Sequence, residues 1–187
     1  MHQDEIWQVY SRAGEPIEGE GRTPEEADGN KEVIIGCSIV WLYRKNEAGE
    51  LELLWQKRAV DIKHYGGYWD ISAGGHVNLG ESFAEAAIRE TREEIGAEIS
   101  PEDLQLGFMS NLKPSRFWAI YFVDYTGRED DFEFDDGEVS EVKWVKYSEL
   151  DDFWRENAKP PLARDEASKA STKAWLEKHG LVEDGNL

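Results

Sequence analysis

Residues 75–97 read GHVNLGESFAEAAIRETREEIGA, and this stretch decides how the rest of the chain is read. Seven positions follow a fixed spacing: Gly75, Glu81, Arg89, Glu90, Glu93, Glu94 and Gly96. At a frequency of about one in ten per residue type, such a pattern arises in roughly one window in ten million. With fewer than about two hundred windows in the chain, accident is a poor explanation. NLGES is turn-like, and FAEAAIRETREEI is rich in helix formers. Ser82 is placed to cap that helix, with Glu85 as its capping-box partner, and Gly96 is a natural stop. Glu90, Glu93 and Glu94 then share one helix face. Like charges at this spacing cost about 0.2–0.5 kcal/mol per pair in an isolated helix. A divalent cation reverses that cost, because Mg²⁺ and Mn²⁺ prefer hard carboxylate oxygens. An arbitrary Glu-rich helix is more often a solvated face. The fixed glycine and arginine positions favour a metal site. Arg89 lies one helical turn from both Glu85 and Glu93, so it can tether carboxylates.

The pattern resembles the Nudix box, the signature of hydrolases that cleave a nucleoside diphosphate linked to another moiety. The resemblance implies an α/β fold, an α/β/α sandwich with a mixed β-sheet. It implies that Glu90, Glu93 and Glu94 bind Mg²⁺ or Mn²⁺ together with the backbone carbonyl of Gly75. Arg89 would orient these carboxylates, and Glu81 would support the loop. Glu93 is the first choice for the base within the catalytic set Glu90, Glu93, Glu94 and Arg89. Thr91 and Ala97 stand where the family prefers a bulky aliphatic residue, which touches helix packing rather than chemistry.

The likeness extends from about Asp4 to Leu150. Residues 53–96, with EIWQVYSRAGEPI before them and EVSEVKWVKYSEL after, are similar to Nudix proteins near isopentenyl-diphosphate isomerase. That enzyme uses a cysteine and a glutamate. A gapless reading puts Gly74 at the cysteine position, and Cys37 falls on an apolar strand where core packing is the expected role. Isomerase-like activity is therefore an alternative to the hydrolase. A catalytically silent nucleotide-binding Nudix domain is another, against which all acidic box positions are intact. A third alternative is an interaction module whose terminal helix, with Trp175 and Leu176, docks a partner.

Outside the box, basic residues stand out in so acidic a chain. Lys57 and Arg58 end the strand before the box and are candidate substrate contacts; Arg58 can grip a phosphate with two parallel bonds, which lysine cannot. His76 is a candidate metal ligand or phosphate contact. Glu138 is a candidate at the substrate, and Glu138, Glu141, Asp135 and Asp136 are candidate bases. Arg116, Lys113 and His64 are weaker candidates. Tyr65, Tyr68, Trp69 and Trp118 could stack on a base, although core packing competes for them. For any single acid of the later loop, an ordinary solvated surface role is the commoner outcome.

The formal net charge of −19 and the absence of a basic patch exclude a nucleic-acid polymer or an anionic membrane as a non-specific partner. A small diphosphate remains admissible, because a bound cation inverts the local field. The resemblance also allows a homodimer. The single cysteine and the polar, acidic start fit a reducing compartment, read as cytoplasmic. One domain over 31–158 is expected, preceded by an N-terminal strand and mobile linker over 1–30. A C-terminal helix over 159–187 should follow. Strands are predicted at 5–10, 33–44, 51–58, 69–73, 104–109, 116–125 and 138–146. Ser148 is predicted to cap a helix through Trp154. Pro160-Pro161 should break the chain before an amphipathic helix over 163–179.

Overall fold

The computed structural model describes residues 5–28, 30–111, 115–128, 130–135, 137–163 and 165–182. It opens with β1 (Trp7–Tyr10), β2 (Pro16–Arg22) and a short α1 (Pro24–Ala27). The hairpin β3 (Ile35–Lys45) and β4 (Leu51–Arg58) follows, then β5 (Trp69–Asp70), β6 (Ala73–His76) and the box helix α2 (Phe83–Ile95). The second half holds β7 (Gln105–Ser110), β8 (Arg116–Asp124) and β9 (Val139–Lys146). A 3₁₀ turn at Tyr147–Glu149 leads into α3 (Leu150–Asn157), α4 (Pro160–Ala163) and α5 (Glu166–Lys178).

β3 organises the sheet. One edge runs parallel to β8, from Ile35↔Arg116 to Tyr43↔Asp124. The other edge is divided: Cys37–Val40 pair antiparallel with β6, and Tyr43–Lys45 pair with β4. β4 then leaves with β9 and β5 as antiparallel neighbours, while β7 flanks β8. Ser72 stitches the divergence. Its hydroxyl accepts from the Leu42 amide at 2.9 Å and donates to the Leu54 carbonyl at 2.6 Å. The result is the expected mixed sheet.

Strand side chains alternate between faces. Val40, Leu42, Leu54, Ala119, Tyr121 and Val123 join Ala87 and Ile95 of α2. Trp41, Tyr43, Leu53, Trp55, Ile120 and Phe122 join Leu150 and Trp154 of α3 and Trp175 and Leu176 of α5. Burial on both faces explains why these strands read as continuous apolar runs. It also gives the expected layering of helix, sheet and helix. Among the described residues no helix is long and apolar enough to cross a membrane.

Five local readings change. The stretch after Tyr10, read as a turn and linker, contains β2, which pairs antiparallel with β1. Its glycines and glutamates hide the usual apolar alternation, and backbone pairing alone makes the strand. The single strand expected over 69–73 is two, broken where Ser72 turns into the sheet. Ser148 lies inside the 3₁₀ turn, and α3 has no side-chain cap. Pro160 and Pro161 open the short α4, since proline is tolerated in a first turn. The last helix starts later than expected and is capped by Asp165, which accepts from the Ser168 amide at 3.0 Å.

Candidate active site

α2 is fixed at both ends as its sequence predicts. Ser82 accepts from the Glu85 amide at 3.2 Å, and the Glu85 carboxylate accepts from the Ser82 amide at 2.8 Å. Gly96 closes the helix at φ 68°. Thr91 is fully buried and spends its hydroxyl on the Ala87 carbonyl, while Ala97 is buried as well. The smaller residues at these positions still pack.

Arg89 is the hub of the polar face. Its Nε and Nη2 donate to the two Glu81 oxygens at 2.9 and 3.1 Å. Its Nη1 donates to Glu90 at 2.8 Å and to Glu93 at 3.0 Å. Nη2 also donates to the His76 carbonyl at 2.9 Å. Glu93 is thus a partner as expected, but Glu85 is not, because the cap occupies it. Glu81 accepts a further bond from the Asn78 amide at 2.9 Å, so it braces the loop. Burial alone would lower the Arg89 pKa; Glu81 and Glu90 more than reverse this and hold it charged.

Glu90 and Glu94 are the strained charges. Burial raises Glu90 to about 7 despite Arg89, and Glu93 and Glu5 add repulsion. Glu94 is buried and pushed well above the carboxylate range, first by burial and then by Glu90, against a lowering bond from the Gly74 amide. Asp70 and Glu138 push in the same direction, which places both within electrostatic reach of Glu94. Glu94 accepts from the Gly74 amide at 2.8 Å and from Gln56 Nε2 at 3.0 Å. Among the described residues the buried Gln56 Oε1 has no hydrogen-bond partner. Glu90 lies directly against the backbone of Gly75: a Cβ there would stand 2.1 Å from its Oε1. Glycine is the residue that permits this approach.

Among the described residues no three His, Cys, Asp or Glu side chains form a ready cation cage. Glu90 and Glu93 face Arg89, and Glu94 faces Gly74 and Gln56. The chemistry still fits a hard divalent cation. The helix offers three carboxylates, two of them raised by burial, and a glycine cradle holds one against a backbone carbonyl's own residue.

A cationic corner adjoins this face. Gln56 and Asp70 are cross-strand neighbours, so they point to the same side. Asp70 is almost fully buried, with Arg58 at 3.7 Å and Lys159 bonded to the same oxygen. Arg58 also donates to the His64 carbonyl at 3.2 Å. Lys159 was not singled out from the sequence, where nothing distinguishes it from other lysines. Lys57 falls on the opposite face, over the Trp69 ring and 3.4 Å from Glu141. Trp69 packs against Phe153, Tyr65 and Tyr68 are exposed, and Asp135 is exposed. His76 stacks on Trp7, and burial with the nearby Arg116 and Arg89 charges lowers its pKa to about 3. Lys113 and Asp136 lie outside the described residues.

The NUDIX domain family model matches residues 36–165, most of the chain and all of the elements that build this site from β3 onward. The chain belongs to the Nudix family. An uncharacterised Nudix hydrolase of Pseudomonas aeruginosa is 38% identical over 77 residues, covering 41% of this chain and 44% of that protein. An isopentenyl-diphosphate Δ-isomerase of Escherichia coli is 46% identical over 69 residues, covering 36% of each. The match thus spans less than half the length of either of these curated relatives. The crystal structure of a Deinococcus radiodurans protein shares the fold at a TM-score of 0.67 and 21% identity, covering 90% of this chain and 98% of that one.

Proposed function

We propose that this Nudix protein is a divalent-metal-dependent hydrolase of a diphosphate linkage, in a nucleoside diphosphate derivative or a similar small diphosphate. The observation that carries the reading is Glu90 seated on Gly75 beside the buried Glu94, on the helix that Arg89 organises. Glu90, Glu93, Glu94 and the Gly75 carbonyl would hold Mg²⁺ or Mn²⁺. A bound ion supplies charge neutralisation for the phosphoryl oxygens.

The protein's own groups divide the remaining work. Arg89 holds the Glu90 and Glu93 rotamers. Glu93 has a side chain 34% exposed against 14% for Glu90, so it is the box carboxylate best able to reach a water and take its proton. Arg58 and Lys159, steadied by Asp70, provide positive charge for a phosphate beyond the scissile bond. Glu138, in the same field as Glu94, is the alternative base.

The similarity to the Escherichia coli isomerase keeps a second reading in view. Against it, a Cβ on Gly74 would stand 2.5 Å from the Ser38 carbonyl, so no thiol side chain fits at that position without backbone movement. Release of phosphate or nucleotide from a panel of diphosphates, with Mg²⁺ or Mn²⁺, tests the proposal. Turnover in the wild type that disappears in Glu93→Gln supports the hydrolase. No turnover on any compound points to nucleotide binding without catalysis, and isomer formation from isopentenyl diphosphate points to the second reading.

A further inference from the structure

β1 precedes the span that matches the family model, yet it is bonded directly to the box loop. The Gln8 amide donates to the Val77 carbonyl at 2.8 Å, and the Leu79 amide donates to the Ile6 carbonyl at 2.7 Å. The Gly80 amide donates to Gln8 Oε1 at 3.1 Å. Gln8 is itself buried, and its Nε2 donates to the carbonyls of Ile17 and Glu20, which ties β2 to the same loop. The hairpin therefore forms one wall of the loop between Gly75 and Glu81.

Within that wall Trp7 lies flat on His76, with ring centroids 3.7 Å apart and planes 16° from parallel. The peptide that follows the His76 ring is held on both sides. Its N–H, on Val77, donates to the Gly36 carbonyl at 3.0 Å, and its C=O accepts from Arg89 Nη2 at 2.9 Å. The same guanidinium holds Glu81, Glu90 and Glu93. Glu5 accepts the Trp7 indole N–H at 3.0 Å, and its charge reaches Glu90. A continuous set of contacts runs from Trp7 through His76 and Arg89 to Glu90 and Glu93.

We propose that Trp7 is a positioning residue of the active site: its stack on His76 fixes the peptide carbonyl that locks Arg89, and Arg89 in turn sets Glu90 and Glu93 for the cation. The inference rests on the metal-dependent reading above. It makes the N-terminal hairpin a working part of the site and gives His76 a role through its ring face and backbone, not through an imidazole–metal bond. Groups that orient metal ligands without touching the metal typically change affinity by about 10–100-fold.

Mn²⁺ binding to the full chain, followed by the electron-paramagnetic signal of free Mn²⁺, tests this without reference to turnover. Trp7→Leu keeps an apolar side chain but loses the stack; it is expected to bind Mn²⁺ about tenfold more weakly. Trp7→Phe restores a ring on His76 and is expected to recover most of the affinity, which a merely space-filling role would not require. Should Trp7→Leu fail to fold by circular dichroism, Trp7→Met takes its place. A folded Trp7→Leu or Trp7→Met that binds Mn²⁺ as the wild type does overturns the role of Trp7 and leaves the hydrolase reading standing. A wild type that binds no Mn²⁺ overturns the metal reading and this inference together.

Discussion

The two faces of the β3–β4 sheet solve different problems with different forces. On the α2 face, one guanidinium gathers Glu81, Glu90, Glu93 and the His76 carbonyl through bonds of fixed direction. On the other face, Trp41, Trp55 and Trp154 are fully buried, with ring centroids 5.0 to 5.5 Å apart, and Phe122 stacks on Trp175 at 3.8 Å. Apolar contact scales with area and tolerates some reorientation. Charge networks depend on geometry, and a buried carboxylate raises its own energy unless something opposes it. The first face should therefore fail by losing chemistry, and the second by losing the fold.

The largest expected effect is on chemistry. Glu93→Gln should lower kcat about 10²–10⁴-fold, the range for loss of a positioned base. Its thermal midpoint should move little, because the side chain is one-third exposed. Stopped or quenched assays on the responsive diphosphate, beside a thermal melt, measure both. A melt that drops while kcat holds would reverse the assignment of the two faces. Trp154→Ala is the counterpart. It should cost about 3–5 kcal/mol in urea unfolding, as a large aromatic removed from a closed core. Turnover per folded molecule should stay near the wild-type value, since Trp154 belongs to the core on the other face of the sheet.

Gly75→Ala sharpens the same contrast at the seam. The added methyl meets Glu90 Oε1 at 2.1 Å and must displace it. Mn²⁺ affinity should fall about tenfold or more, in the manner of a misdirected ligand. Calorimetric titration checks this; unchanged affinity would show that Glu90 can serve from another rotamer.

The sequence was most legible where contacts are local. Ser82, Glu85 and Gly96 act within one or two helical turns, so spacing alone places them. Arg89 was half legible. Glu93 at i+4 could be named, but Glu85 was diverted to the cap, and the His76 carbonyl arrives from a strand. The cationic corner was not legible, because Asp70 and Lys159 are 89 residues apart and meet only through the fold. Trp7 was equally hidden: nothing in EIWQVY announces that a ring will lie on His76. The N-terminal linker shows the converse, since β2 is made by backbone pairing that leaves no pattern in PIEGEGR. Local chemistry writes itself into spacing, whereas tertiary ion pairs and stacks do not.

Ser82→Ala removes one half of the capping box and should destabilise the protein by about 0.5–2 kcal/mol. Urea unfolding measures the loss, and amide exchange in the first turn of α2 should rise with it. A loss outside this range would mean that packing of Phe83 and Ala87, not the cap, holds the start of the helix.

The smallest effect lies in the C-terminal layer, where α3 and α5 are joined by a charge pair as well as by apolar area. Asp151 accepts from Lys173 at 2.7 Å, with Lys169 at 3.9 Å. The bond to Lys173 lowers the Asp151 pKa, and weak burial opposes it. A carboxylate with a lowered folded pKa adds stability that is complete above its unfolded pKa, near 4. That stability is lost as pH falls through the lower, folded value. Asp151 is half exposed, so the pair is worth about 0.2–1 kcal/mol at most and less in high salt. Asp151→Asn should therefore unfold slightly earlier than the wild type in urea at neutral pH and low salt. The two curves should approach each other as the pH falls below about 4 and meet once it has passed the lower, folded pKa of Asp151, where the side chain at this position is uncharged in both proteins. A gap that persists in acid would assign the difference to packing between α3 and α5, and the charged and apolar parts of this layer would no longer be separable.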